Sequence, residues 1–200
     1  MQIKKASEFG EDIRPKISEL FVEAFNNELK MFSAGSDDNA LINACSHMFS
    51  LEHFYLAMID GEIAGLIACL DRNSVSINPK RKIFVKNLGF FKGFLTNFMI
   101  KRYYRKTPPK KYPVEMGEKT GAIEFVATNA KFRGMGVATK MLNYAHAMPE
   151  YSDYILEVTD INANAIALYE KMGYKEVFRK KINVQKSGMN YLLYLKYSKK

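Results

Sequence analysis

The sequence predicts an α/β (α+β) domain built on a mixed, mostly antiparallel sheet, and three observations carry that prediction. Alternating apolar residues form strand pairs near both ends of the chain, a strand, glycine loop and helix follow one another in the middle, and several stretches repeat apolar residues at helical spacing. Hairpins at both ends and a strand-helix-strand step between them give a sheet with one parallel pair. The 200 residues, 48% of them apolar, suit a single domain (1–200) with one insertion and enough core to be stable.

Residues 1–7 read as a first strand. From Asp12 onward, Ile13, Ile17, Leu20, Phe21, Ala24 and Phe25 recur at three and four, predicting an amphipathic helix with Pro15 tolerated in its first turn. After a break at 35–39, residues 40–49 predict a second helix. Residues 53–59 and 62–70 flank Asp60-Gly61, which supplies the positive φ angles of a tight hairpin. Phe90, Phe91, Phe94, Leu95, Phe98, Met99 and Tyr103 line one side of a helix that Pro108 and Pro109 end. So aromatic a side is expected to be buried against the domain or a partner. Residues 123–128 predict a central strand and 134–148 its helix, stopped by Pro149. Residues 154–159 predict the next strand and 163–172 a helix closed by Gly173. Residues 175–184 and 191–197 flank Ser187-Gly188 as a terminal hairpin.

The net charge of +9 is unevenly spread. Residues 72–114 hold twelve Lys and Arg and no Asp or Glu, so the remainder of the chain is mildly acidic. This basic helical insertion is expected to form a flap beside the acceptor end of a site and to favour acceptors with an acidic group. No run approaches the roughly 20 apolar residues needed to cross a bilayer, and the first residues lack an apolar signal core. The sequence therefore reads as soluble and cytoplasmic. Cys45 and Cys69 have neither zinc-type nor redox spacing and read as buried free thiols, with no metal expected.

The most informative stretch is Arg133-Gly134-Met135-Gly136-Val137-Ala138. Glycines where a helix begins leave outward-facing N–H groups unobstructed, and the helix dipole adds partial positive charge, which makes an anion cradle. The hexapeptide fits the pattern Arg/Gln-x-x-Gly-x-Gly/Ala, and residues 156–174, with Asn162, Ala165, Leu168, Tyr169, Gly173 and Tyr174, fit Asn-x-x-Ala-x-x-Leu-Tyr-x-x-x-Gly-Phe/Tyr. Both motifs, in this order, resemble those of the GNAT superfamily of N-acetyltransferases. The resemblance is clear over 121–177 and does not cover 72–114.

The resemblance implies a GNAT-like sheet of about six to seven strands, flanked by helices and splayed between the fourth and fifth strands. It implies acetyl-CoA as co-substrate, its pantetheine arm pairing with main-chain groups around Val126 and Thr128, its pyrophosphate on the amides of residues 133–138, and Asn162 near the cofactor arm. It also implies Tyr169 as the acid for the departing thiolate. An amine with a pKa of about 10.4 is neutral in only about one molecule in a few thousand at pH 7, so a base helps attack. Glu124 is the candidate base, directly or through a water, because it shares a strand face with Val126 and Thr128. A main-chain N–H near Val126 would polarise the thioester carbonyl. The expected acceptor is a small-molecule or peptide amine rather than a nucleic acid, and a homodimer is compatible. Competing readings are a non-catalytic acyl-CoA sensor or scaffold and a basic protein that binds polyanions or membrane surfaces.

Overall fold

The computed structural model describes residues 1–33, 35–104, 106–182 and 188–199. In chain order its elements are β1 (Gln2–Lys5), α1 (Arg14–Ala24), α2 (Asn26–Ser33), α3 (Asp38–Cys45), β2 (Phe54–Ile59), β3 (Glu62–Leu70), α4 (Arg81–Leu88), α5 (Phe90–Tyr104), α6 (Pro108–Lys111), β4 (Thr120–Thr128), α7 (Val137–His146), β5 (Asp153–Thr159), α8 (Ala163–Lys171), β6 (Lys175–Lys181) and β7 (Tyr191–Ser198). Among the described residues the strands form a seven-stranded sheet in the order β1-β2-β3-β4-β5-β7-β6. Only β4 and β5 run parallel; the other neighbours are antiparallel.

The strand β3 explains how the sheet is covered. Its apolar run is nearly continuous because alternate residues serve two cores. Leu66 and Ala68 pack with Ile17, Phe21 and Leu41 of α1 and α3, whereas Ile67 and Cys69 pack with Met141 and Ala145 of α7. At Gly65 a Cβ would lie 2.8 Å from the Ala127 carbonyl oxygen and 2.8 Å from Val137 Cγ1, so glycine there lets α7 settle onto the sheet. Both cysteines are buried free thiols, and burial pushes each up to about 12.

Several boundaries differ from the sequence reading. The first helix stops at Ala24, because Phe25 leaves helical geometry (φ −116°, ψ 24°), and α2 follows. The second helix begins earlier, capped by the Asp37 side chain, which accepts from the Ala40 amide at 3.2 Å. Pro108 begins α6 rather than only closing the helix before it, since an N1 position needs no amide hydrogen. Residues 81–88, without a capping side chain at Lys80, form α4, which the sequence reading passed over. Arg105 and the Ser187 side of the terminal turn, with 183–184, lie outside the described residues.

The largest departure concerns α5. It buries Gly93, Thr96, Asn97 and Ile100, while Phe90, Phe91, Phe94, Leu95 and Phe98 remain exposed. The expected burial of the aromatic side against the domain is therefore overturned. Close packing on α4 decides the orientation: a Cβ at Gly93 would sit 2.4 Å from the Phe84 carbonyl oxygen, so only glycine admits this approach.

Candidate active site

Strands β4 and β5 pair only from Thr120 to Ile123 against Asp153 to Leu156, although both continue beyond. The cause lies in β4. Leu66 faces Ala127 and Ala68 faces Glu124, so Ile67 of β3 stands opposite two residues, Phe125 and Val126. That is a bulge, and Phe125 holds it with φ +54°, a left-handed conformation rare for a bulky side chain. Aromatic packing on Phe21, Phe25, Phe54 and Tyr104, with ring centroids 4.9 to 6.0 Å away, holds Phe125 in place. The diverging strands open a cavity of about 190 Å³ whose walls include Glu124, Val126, Glu157, Tyr169, Tyr104 and Lys111.

A charged cluster closes the inner end. Ile123 and Leu156 are register partners, so Glu124 and Glu157 follow side by side on the two parting strands. Between them, Lys111 Nζ lies 2.6 Å from Glu124 Oε1 and 3.0 Å from Glu157 Oε1, with its side chain only 5% exposed. The same ammonium sits 4.7 Å above the Tyr104 ring. Burial alone would lower the Lys111 pKa, but Glu124, Glu157 and Tyr104 outweigh it and hold the ammonium well above the ordinary lysine value. The hydroxyl of Ser76, fully buried, donates to Glu124 Oε2 at 2.5 Å. Glu124 is thus a buried carboxylate engaged on both oxygens.

At the end of β4 the chain turns through residues 129–136 into α7. Gly134 (φ +77°) and Gly136 (φ +73°) are left-handed, Gly136 is the N-cap, and a Cβ at either would meet nothing within 4 Å. Within this loop the Arg133 and Met135 amides donate to the Ala130 and Phe132 carbonyls at 3.3 and 3.4 Å, and the first turn of α7, with Val137 and Ala138, begins where helical geometry leaves donors without intrahelical acceptors. These residues fit the phosphates of a coenzyme A thioester. Arg133 and Met135 are exposed beside them, and Thr128 lies just before, paired with Gly65.

Opposite β4, Tyr169 on α8 reaches the cavity while 7% exposed, and burial holds its hydroxyl well above the usual tyrosine pKa. It stays protonated at neutral pH, the form a general acid requires. Asn162 also borders the cavity, but its side chain caps α8, accepting from the Ala165 amide at 3.2 Å. Glu124, Val126, Asn162 and Tyr169 thus share one cavity, and residues 133–138 lie in the segment that leads from the end of β4 into α7.

The residues that sequence reasoning missed are Lys111, Glu157, Ser76 and Tyr104. Glu157 had a signal: aligning the two parallel strands makes it the counterpart of Glu124. Lys111 had none, being one of twelve basic residues in its segment. The other basic residues of the insertion do not gather here. Lys80, Arg81, Lys82 and Lys101 line a separate groove between α4 and α5. Among the described residues no group of three His, Cys, Asp or Glu side chains could hold a metal ion, and no helix is long and apolar enough to cross a membrane.

The sequence matches the model of the acetyltransferase (GNAT) family over residues 15–174. The chain belongs to that family. Solved structures with the same fold include an N-acetyltransferase from Staphylococcus aureus Mu50, 18% identical, with a TM-score of 0.62 over 98% of this chain and 100% of that one. A ribosomal-protein-alanine N-acetyltransferase from Brucella melitensis is 16% identical, with a TM-score of 0.57 over 99% of each chain. An aminoglycoside 6'-acetyltransferase type Ii is 13% identical, with a TM-score of 0.57 over 99% of this chain and 97% of that one. No curated protein matches the chain. Family membership makes this an acetyltransferase fold in which β4, the loop after it and α8 carry the family motifs.

Proposed function

We propose that the protein transfers an acetyl group from acetyl-CoA to a primary amine by direct attack within a ternary complex. The observation that supports this reading best is the cavity opened by the β4 bulge, which has Glu124 and Tyr169 on its walls and lies along the strand that leads into the glycine-rich start of α7. Loop amides of residues 133–138 hold the pyrophosphate, and main-chain groups around Val126 and Thr128 pair with the pantetheine arm. Acetyl-CoA, when bound, supplies the thioester whose acyl carbon the amine attacks. The Val126 amide polarises the carbonyl, Tyr169 protonates the sulfur, and Glu124 receives the amine's proton through a water, both of its oxygens being engaged. Lys111 provides the positive charge that allows two carboxylates to share a buried site.

The lining charges favour a cationic acceptor. Glu28, Glu124 and Glu157 face the cavity against Lys111 alone, so an ammonium is attracted and a carboxylate repelled. This replaces the acidic acceptor expected from the net charge of the insertion. Solved relatives named for protein and for aminoglycoside substrates share the fold, so the likeness does not choose between peptide and small-molecule amines. The same reading sets the activity in the cytoplasm. A thiol-release assay with acetyl-CoA across mono-amines, polyamines, amino acids and peptides tests it. Turnover should be greatest with amines lacking a nearby carboxylate. Acetyl-CoA binding without thiol release for any amine would instead indicate a sensor.

A further inference from the structure

The outward side of α5 is unlike the rest of the surface. Phe91 is 84% exposed and Phe90 69%, and Phe94, Leu95 and Phe98 continue the stripe at four-residue steps along the same side. Soluble surfaces rarely display five large apolar side chains together. The stripe lies opposite the face that packs on the protein, which carries Gly93, Thr96, Asn97 and Ile100, so no ordinary repacking of the helix would hide it.

Charge accompanies the stripe. Phe94 lines a groove of about 740 Å³ with Lys80, Arg81, Lys82, Asn97 and Lys101. Here α4 begins without a side-chain cap beside three consecutive basic residues, its Ile83 and Phe84 amides donating to the Lys80 carbonyl and its positive dipole end at Arg81 and Lys82. A second observation points to a ligand: the Asn97 amide nitrogen is buried and has no hydrogen-bond partner among the described residues. Basic side chains, the positive end of a helix and a spare buried donor are what an anionic phosphate group needs. Aromatic side chains beside it fit the acyl boundary that lies beneath such phosphates in a bilayer.

We propose that the α4–α5 face docks on an anionic phospholipid surface, with Phe90, Phe91, Phe94, Leu95 and Phe98 entering the headgroup boundary and Lys80, Arg81, Lys82 and Lys101 binding lipid phosphates. A second copy is a poorer occupant, because residues 72–114 contain no acidic side chain and two such faces would repel. The active-site end of α5 stays with the protein: Tyr104 packs on Phe125, so docking leaves the cavity intact.

Cosedimentation of the full chain with vesicles of phosphatidylcholine, alone or mixed with phosphatidylglycerol, tests this. Binding is expected to the mixed vesicles only and to weaken with salt. Changing Lys80, Arg81, Lys82 and Lys101 together to Gln should reduce partitioning on the order of a hundredfold or more, about fivefold per charge. The triple variant Phe91→Ser, Phe94→Ser, Phe98→Ser should lose on the order of tenfold or more, with thermal stability and vesicle-free thiol release unchanged. Should the triple variant fold poorly, Phe91→Ser alone serves, since that ring touches little of the core. The proposal is overturned if the intact protein ignores phosphatidylglycerol vesicles, or if the serine variants bind them as wild type does, which would leave charge alone as the cause. It is equally overturned if the stripe instead mediates a dimer that ultracentrifugation detects and the serine variant dissolves.

Discussion

Replacing Lys111 with Met keeps the length and apolar stem of the side chain and removes only its ammonium. Two carboxylates, 5% and 14% exposed, are then left side by side without their shared cation. Breaking a buried ion pair from one side costs about 3–5 kcal/mol, because the remaining charge is uncompensated. For a chain of this size each kcal/mol shifts Tm by about 2–4 °C, so the midpoint should fall by roughly 6–20 °C. Urea denaturation with an unchanged m-value gives the free energy directly. Adding Glu124→Gln removes one of the two charges and should restore much of the loss, a coupling of more than about 1 kcal/mol in the double-mutant cycle. A deficit below about 1 kcal/mol, additive with Glu124→Gln, would show that Lys111 does not hold these carboxylates together.

Other substitutions probe the remaining parts. Gly136→Asp places a side chain and a negative charge where φ is +73° and the space outside is open, so calorimetry should show acetyl-CoA affinity collapsing in a folded protein; unchanged affinity would exclude the loop as the phosphate site. Tyr169→Phe should lower turnover about 10²- to 10⁴-fold with little change in stability, and a rate within about twofold of wild type under chemistry-limited conditions would reduce Tyr169 to packing. Glu124→Gln should impair turnover most at low pH, where free amine is scarcest; a loss uniform across pH would mark a structural carboxylate. His146, stacked on Tyr197 at 3.9 Å, is pushed down to about 4 by burial, with Lys199 adding repulsion. The unfolded chain then binds this proton more readily, so the contribution is full above about pH 6.5 and is lost as pH falls toward about 4. Because the side chain is only partly buried, solvent screening leaves on the order of 1–2 kcal/mol. His146→Phe should flatten that part of the stability curve, and identical wild-type and variant slopes would contradict it.

The strand, loop and helix around residues 123–145 were legible in the sequence because their signals are local: alternation, then glycine, then helical spacing. The Asp60-Gly61 hairpin was legible for the same reason, and β2 and β3 match it closely. The orientation of α5 was not. Its apolar stripe is evident in the spacing, but the side facing inward is chosen by the close approach of α4 at Gly93, a contact between helices that periodicity does not encode. Lys111 was illegible for a related reason. What distinguishes it from its eleven basic neighbours is pairing with carboxylates 13 and 46 positions away on two different strands, which only the fold brings together. The role of Asn162 as a helix cap follows from local chemistry, yet the family motif drew attention to the cofactor instead.

Phe125 links remote packing to the site. A left-handed aromatic residue costs of order 1–3 kcal/mol, and it persists only while its surroundings over-determine it. Here the restraint comes from Phe21 and Phe25 in the first helical region and from Phe54 at the start of β2, which pack around its ring in one core cluster. Loosening that aromatic nest would let β4 relax toward regular pairing and narrow the gap beside β5. The N-terminal hundred or so residues, which carry none of the sequence motifs, therefore act as the wedge that keeps the gap open, and mutations there should register as weaker acyl-CoA binding before they register as unfolding.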